Sequence, residues 1–229
     1  MLIGIATIAG GSEDFMRACA PCLESVAEYA NIHGYPRFLW DGEGLDRPIS
    51  WGRIPLMLTI FEEHPELTHL LWFDADAMVT NPKIKLEPFA KIMDKHDKVA
   101  FFSIDGANNL NDGMALYKNS YRTKEILHTL WNMEEYINHP WWVNAAICRY
   151  NIDNFDRKDI LIANNSNFFN SYVYGRNPWS FGDFVVHFAG MDNNKRRIFS
   201  LAFMEMIKSL KDLMPEKNIE DYYYGLWET

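Results

Sequence analysis

The sequence predicts an α/β protein in which helices flank a mostly parallel central sheet. Short apolar runs alternate with longer segments whose apolar residues recur at helical spacing, as expected for βαβ units. The run at 70–73 has the length and content of a buried strand, and two carboxylates, Asp74 and Asp76, follow it at once. Ligands of open α/β sheets bind beyond the carboxyl ends of the strands, so the functional site is expected there.

The predicted elements follow one another along the chain without a visible linker or internal repeat. Strands are expected at 2–8, 37–40, 70–73, 99–103, 114–117 and 184–188. Helices are expected at 14–32, 51–64, 89–95, 121–133, 141–150 and 196–213. Loops are expected at 105–113 and 164–167, and Tyr222, Tyr223 and Tyr224 fall in a tail. We therefore expect residues 1–229 to form a single domain.

Composition and charge argue against several classes of partner. The net charge of −9 leaves no global basic field to attract nucleic acid or an anionic membrane. No apolar segment has the length of a membrane span, and residues 1–8 resemble a first strand rather than a signal peptide. The three cysteines, an odd number, favour reduced thiols. We expect a soluble cytoplasmic protein of bacterial or viral origin.

The pair Asp74 and Asp76 predicts a metal site. Two acids at a strand end repel each other and cost desolvation energy unless a cation holds them. Carboxylate oxygens suit Mg²⁺ or Mn²⁺, and the imidazole of His187, at the end of a late predicted strand, would favour Mn²⁺. Such a metal can hold the diphosphate of a nucleotide sugar. The structural alternatives are that Asp74 caps a turn, that Asp76 is solvated and that His187 is a packing residue.

Two cations and one glycine-rich turn are further candidates for binding an anionic ligand. Arg53 and Lys195 are expected near the acids, although Arg53 is also compatible with a solvated helix position. The backbone N–H groups of the turn at 9–12 are expected to meet a phosphate or a base.

Five segments in order resemble a family of retaining glycosyltransferases that includes plant xyloglucan xylosyltransferases and fungal Golgi galactosyl- and mannosyltransferases. A lone D-x-D would be weak, whereas five motifs in family order are fairly specific. The segments are Tyr29-Ala30-Asn31-Ile32-His33-Gly34-Tyr35, Trp51-Gly52-Arg53, Trp72-Phe73-Asp74-Ala75-Asp76-Ala77, Asn111-Asp112-Gly113 and His187-Phe188-Ala189-Gly190.

The resemblance implies a GT-A fold and a retaining transfer of a hexose or pentose from a UDP- or GDP-linked donor to a glycan or glycoprotein. It implies Mn²⁺, or Mg²⁺, bound by Asp74, Asp76 and His187. The donor-binding residues expected on this basis are Thr7, Ile8, Ala9, Gly10, Arg53, Asp74, Ala75 and Lys195. The catalytic candidates are Asp112 and Asn144.

One motif departs from the family pattern. The family's E/D-Q-x-A segment corresponds to Val143-Asn144-Ala145-Ala146, with valine at the acid and asparagine at the glutamine. A neutral amide is a poor nucleophile, so the departure favours front-face transfer over double displacement. Altered donor choice is the other interpretation. The adjacent Trp141 and Trp142 are compatible either with the core or with contact to the acceptor.

Three alternative functions are compatible with parts of the sequence. A D-x-D strand also occurs in Mg²⁺-dependent haloacid-dehalogenase-like phosphatases, but there it lies near the start of the chain. A sugar-binding protein without activity is the second alternative. Cys19-Ala20-Pro21-Cys22 is compatible with a redox pair, but buried structural thiols are the expectation because redox chemistry leaves the acids unexplained.

Overall fold

The central sheet follows the predicted α/β plan in the computed structural model, which describes residues 1–163, 169–175 and 178–217. Within these residues six strands have the order β2-β1-β3-β6-β5-β7, and a small second sheet has the order β4-β9-β8. The strands are β1 (Ile3–Ile8), β2 (Arg37–Trp40), β3 (His69–Phe73), β4 (Ala77–Val79), β5 (Ala100–Ile104), β6 (Leu110–Lys118), β7 (Ile160–Ala163), β8 (Ser171–Tyr172) and β9 (Val185–His187).

The helices cover both faces of the central sheet. They are α1 (Glu13–His33), α2 (Arg53–Glu63), α3 (Glu87–Lys95), α4 (Tyr121–Trp131), α5 (Trp142–Asp153) and α6 (Asn193–Leu210), and a 3-10 turn at Ile49–Gly52 leads into α2. Capping residues fix several of their ends. Ser12 caps α1 by accepting from the N–H of Phe15, and Gly34 ends it with φ of 70°.

All strands of the central sheet run in one direction except β6, so the prediction of a mostly parallel α/β sheet is confirmed. Antiparallel β6 lies between β3 and β5, and Met114 pairs with Phe73. The start of β6 therefore lies beside the end of β3, where the N–H of Asp74 donates to the carbonyl of Gly113 at 2.8 Å. We call this the site edge, and the edge at His69 and Lys118, which pair with each other, the opposite edge.

The small sheet brings a distant segment of the chain to the acids. Strand β4 begins directly after Asp76, and Ala77 pairs with His187 in antiparallel β9. The N–H of Phe188 also donates to the carbonyl of Asp76 at 3.0 Å. Helices α1 and α6 pack together beside this sheet, where the Ser200 hydroxyl donates to the carbonyl of Ala18.

Both faces of β3 are buried, which explains its continuous apolar run. Leu71 and Phe73 face one core cluster, whereas Leu70 and Trp72 face the other. Complete burial of such side chains contributes about 1.5–3 kcal/mol each by area bookkeeping. The residues that follow are consequently anchored on a rigid element.

The structure corrects one loop prediction and leaves two others open. The polar segment 105–113 is a loop only to Asn109, because β6 begins at Leu110 and pairs with β5 across an irregularity between Phe102 and Ser103. The loop expected at 164–167 and the tail with Tyr222 to Tyr224 lie outside the described residues. None of the helices in the described ranges is long and apolar enough to cross a lipid bilayer.

Candidate metal and donor site

Asp74, Asp76 and His187 converge at the site edge. Each offers one ligand atom, and these atoms lie within 4.8 Å of one another. Asp74 follows β3 and accepts from the indole N–H of Trp72 at 2.7 Å, which orients its carboxylate. The His187 Nε2 lies 3.2 Å from Oδ1 of Asp76, because strand pairing places β9 beside β4.

The donor set fits a divalent cation. Two carboxylates and one imidazole match the ligand chemistry of Mn²⁺ and, with the oxygens predominating, of Mg²⁺. The His187 ring is buried, and its Nδ1 has no hydrogen-bond partner among the residues that the structure describes. Backbone packs closely against this ring, since a Cβ added at Gly113 would stand 2.2 Å from Cε1 of His187. The residues present can therefore hold such an ion.

Arg53 is the cation most tightly built into this edge. Its side chain is 4% exposed, and its guanidinium contacts Asp74 Oδ1 at 3.0 Å and Asp112 Oδ2 at 2.7 Å. It also donates to the carbonyls of Ser50 and Asp112 and lies over the Trp72 ring. Burial opposes the charge on Arg53, but Asp112 and Asp74 outweigh it and raise the pKa. The guanidinium thus stays charged.

Asp112 and Asn144 are joined by a backbone contact. The amide oxygen of Asn144 accepts from the N–H of Asp112 at 2.9 Å, so this side chain is committed to the start of β6. Burial raises the pKa of Asp112 to about 6, although the adjacent Arg53 favours the carboxylate. Asn144 therefore holds a residue that contacts Arg53, and through Arg53 it is linked to Asp74.

Two of the three basic residues at the start of α6, Lys195 and Arg196, differ sharply in exposure. Lys195 has a side chain 67% exposed that pairs with Asp192. Arg196 is 8% exposed, its Nε lies 3.2 Å from Oδ2 of Asp76, and its guanidinium lies over the Phe15 ring. Arg196 was missed from sequence, although Ser200 and Met204, which follow it at intervals of four residues and are buried, would have indicated an inward helical face.

The turn after β1 is packed against the turn after β2. The N–H of Ala9 donates to the carbonyl of Trp40 at 2.7 Å, and a Cβ at Gly10 would meet the carbonyl oxygen of Asp41 at 1.9 Å. Only glycine fits there. Thr7 and Ile8 are buried at the end of β1, and within the described part of the chain the Thr7 hydroxyl has no hydrogen-bond partner. Ala75, between the two acids, is also buried.

The charges of this edge balance only in part. The carboxylates are Asp74, Asp76 and Asp112, and the permanent cations are Arg53 and Arg196. Burial opposes the charged form of His187, but the nearby acids, Asp76 first, outweigh it and raise the pKa of the ring. When the imidazole is neutral, as a metal ligand must be, these groups sum to one negative charge, which a bound cation would offset.

Solved structures with similar topology define the fold. A glycosyltransferase involved in glycosylation of the major capsid of PBCV-1 matches with a TM-score of 0.67 at 20% identity, over 90% of this chain and 100% of that chain. Mouse xyloside xylosyltransferase 1 matches with a TM-score of 0.52 at 8% identity, over 83% and 98%. The fold is that of GT-A glycosyltransferases.

Sequence comparisons then point to the family. Residues 8–99 match the galactosyl transferase GMA12/MNN10 family. A probable alpha-1,2-galactosyltransferase of Schizosaccharomyces pombe is 23% identical over 74% of this chain and 62% of its own length. Xyloglucan 6-xylosyltransferase 1 of Arabidopsis thaliana is 27% identical over 46% of this chain and 24% of its own. The resemblance is confirmed, and the findings support a glycosyltransferase of this family.

The chain spans less than two thirds of the length of these curated relatives. Glycosyl transfer from a sugar donor to a glycan acceptor is the function that the family implies. The phosphatase and inactive-binder alternatives are not favoured by these matches.

Proposed function

We propose that the protein moves a hexose or pentose from a UDP- or GDP-linked sugar to a glycan or glycoprotein acceptor, with retention at the anomeric carbon. The observation that carries the proposal is the convergence of Asp74, Asp76 and His187 within 4.8 Å at the end of β3. These residues would hold Mn²⁺, or Mg²⁺, which when bound would neutralise charge on the leaving diphosphate. Ligand binding at a strand end suits an open α/β sheet.

The donor would bind at two segments beside the acids, the turn after β1 and the start of α6. The segment Thr7, Ile8, Ala9 and Gly10 would receive the nucleoside, because β1 pairs in parallel with β3 and therefore ends at the same edge as the acids. Lys195, and with it Arg196, would meet the diphosphate. Arg196 is buried against Asp76 and therefore needs little further ordering, whereas exposed Lys195 must give up a solvated position.

Arg53 has a different part in the proposal from the one expected of a free cation. It already bonds the carboxylates of Asp74 and Asp112 and two backbone carbonyls, so we propose that it orients these two carboxylates. The donor would lie beside them and contact Ala75. A charged guanidinium held in this way adds positive potential without moving.

Front-face transfer is the reaction path that we propose. Asn144 is a neutral amide whose oxygen is occupied by the N–H of Asp112, which suits positioning rather than nucleophilic attack. Asp112 is held by Arg53 at 2.7 Å, and we assign it the orientation of the donor sugar. The proton of the acceptor hydroxyl would then pass to the leaving phosphate oxygen.

A thermal-unfolding screen of UDP and GDP, each with and without Mn²⁺, tests the proposal. A ligand at about 100 times its Kd adds about 2.7 kcal/mol to the free energy of unfolding, so one nucleotide should raise Tm only when the metal is present. Slow Mn²⁺-dependent hydrolysis of the matching nucleotide sugar should accompany it. If neither nucleotide stabilised the protein with Mn²⁺, the proposal would be wrong.

The substitution Asp76→Asn tests whether the Mn²⁺-dependent rise in Tm depends on the Asp76 carboxylate. Removal of this carboxylate should abolish the Mn²⁺-dependent rise in Tm, because the ion loses a charged ligand. The matched control is Asp94→Asn at the opposite edge, where the carboxylate pairs with Lys118. Metal-dependent binding that survives Asp76→Asn would contradict the ligand assignment.

Domain organisation and location are further proposals. We propose that residues 1–229 act as one domain, which limited proteolysis would test by yielding no stable subfragment. The three free thiols, of which Cys19 and Cys22 are buried, support a reducing cytoplasmic setting. Disulfide-linked native protein would contradict that location.

A further inference from the structure

Two adjacent tryptophans with partly exposed side chains stand at the start of α5, Trp141 as its N-cap and Trp142 as its first residue. Trp141 is 56% exposed and Trp142 is 46% exposed, whereas the next residue, Val143, is buried in a core cluster. A core role for the pair, one of the two interpretations of the sequence, is therefore wrong. Large aromatic side chains left in water forfeit hydrophobic stabilisation, so two neighbours of this kind indicate a surface that another molecule covers.

The tryptophan pair is continuous with the candidate site. Asn144, two residues beyond Trp142, accepts from the N–H of Asp112 at 2.9 Å. Asp112 contacts Arg53 at 2.7 Å, and Arg53 contacts Asp74 at 3.0 Å. Three direct contacts thus join the start of α5 to the metal candidates, and the pair stands at the rim of the site edge.

The backbone of Trp142 is in an unusual conformation. Its φ is +43°, a left-handed value that is a genuine outlier for a bulky side chain. The neighbouring turn holds it there, because the N–H of Trp142 donates to the carbonyl of His139 at 2.9 Å and the N–H of Trp141 donates to Nδ1 of His139 at 3.0 Å. Glycine would relieve this strain but would present no ring. Strain of this kind concentrates at binding sites.

We propose that Trp141 and Trp142 form the acceptor platform, on which a neutral saccharide stacks the C–H face of a ring. The inference rests on the proposed function, for which it names the acceptor class. Local charge disfavours acidic acceptors, since residues 132–143 include Glu134 and Glu135 but neither lysine nor arginine. A flat indole matches the apolar face of a sugar, and Asn144 lies just inside the rim.

Binding can be tested without any donor. Protein labelled with 5-fluorotryptophan is titrated with cellotetraose, α-mannotetraose and trigalacturonate, and the fluorine resonances are assigned with Trp141→Phe and Trp142→Phe. At least one neutral tetrasaccharide should shift both resonances at millimolar concentration, and the acidic trisaccharide should shift them less. If no neutral saccharide moved either resonance, or if the acidic one moved them more, the proposal would be overturned.

Variants separate acceptor binding from donor binding. Trp141→Ala and Trp142→Ala should each lower the ratio of transfer to saccharide over transfer to water by about tenfold or more, chiefly through a higher acceptor KM. Mn²⁺ with the nucleotide should still raise the Tm of both variants. Tyr121→Ala is the matched control, because Tyr121 is 80% exposed but begins α4 beyond Lys118, at the opposite edge.

Trp142→Gly distinguishes a binding role of the Trp142 ring from a purely structural role. Glycine tolerates φ of +43°, so this variant should be at least as stable as Trp142→Ala while showing the same loss of saccharide transfer. An unchanged acceptor KM in the alanine and glycine variants overturns the platform. Failure of every nucleotide to bind, with the fluorine shifts intact, would overturn the proposed donor chemistry instead.

Discussion

Two buried histidines lie at the two opposite edges, His69 in β3 of the central sheet and His187 in β9 of the small sheet, and their pKa values are shifted in opposite directions. His69 and His187 are 1% and 4% exposed. Burial lowers the pKa of His69 to about 4, and Asp94, 3.8 Å away, offsets it only in part. At His187 the effect of burial is outweighed by Asp76, in contact at 3.2 Å, and by Asp74 and Asp112, so the pKa is raised.

The difference lies in where the acids are, not in how deeply the imidazole is buried. Asp94 is partly solvated and pairs with Lys118 at 2.7 Å, so little of its field reaches His69. At the site edge three carboxylates are packed with two arginines, and the acids that face His187 are less exposed than Asp94, so solvent screens them less. A buried histidine thus marks a charged site only when several acids are buried with it.

Removal of the buried cation Arg53 should lower the free energy of unfolding more than any other substitution that compares the two edges. Arg53→Met leaves Asp74 and Asp112 close together without their partner, and loss of one member of a buried pair costs about 3–5 kcal/mol. The control at the opposite edge is Lys118→Met, where loss of the exposed pair with Asp94 should cost about 1 kcal/mol or less. Urea denaturation measures both.

A double variant tests whether uncompensated charge, and not lost packing, explains the effect of Arg53→Met. In Arg53→Met with Asp112→Asn one uncompensated charge is gone, so part of the lost free energy of unfolding should return. Equal costs in the single and double variants would show that packing of the side chain, and not charge, was responsible.

The two edges should also differ in how the free energy of unfolding depends on pH, and this difference should be smaller than the effect of Arg53→Met. Unfolded histidine titrates near 6.5, so acid charges the unfolded chain before it charges His69, and stability is lost as pH falls from about 6.5 to about 4. His69→Gln should remove this loss, which is about 3 kcal/mol at most. Denaturation of metal-free protein between pH 4 and 8 measures it, and an unchanged acid limb would contradict the assignment.

Titration of Asp112 should change the free energy of unfolding with pH in the direction opposite to that of His69. Its folded pKa of about 6 lies above the unfolded value near 3.9, so its contribution is present below about pH 4 and is lost as pH rises through 6. Asp112→Asn should flatten this part of the profile while leaving the His69 limb intact.

The smallest predicted effects concern two helix caps, one beside each edge. Ser12 accepts from the N–H of Phe15 after β1, and Ser120 accepts from the N–H of Thr123 after β6. Each serine-to-alanine change should cost about 0.5–2 kcal/mol, and the less exposed Ser120 should cost more. Neither change should alter Mn²⁺-dependent nucleotide binding. A loss of binding in Ser12→Ala alone would show that the turn after β1 depends on this cap.

Much of the fold follows from local pattern. The apolar run of β3, the capping serines and Gly34 at the end of α1 are local signals, and the structure has the expected elements there. Strands β4, β7 and β8 were missed because they are short and lack alternation that single-sequence reasoning can recognise.

By itself the sequence determined the α/β class, the acids at the end of β3 and the family resemblance, because these depend on neighbours along the chain. It proposed His187 as a third ligand, a role that stays a proposal. Only the tertiary structure decided that β9 brings His187 to Asp76, that antiparallel β6 brings Asp112 to Arg53, and that Arg196 is buried while Trp141 and Trp142 are not. Strand direction and long-range register set these contacts, and residues 59 to 120 positions apart carry no local sign of them.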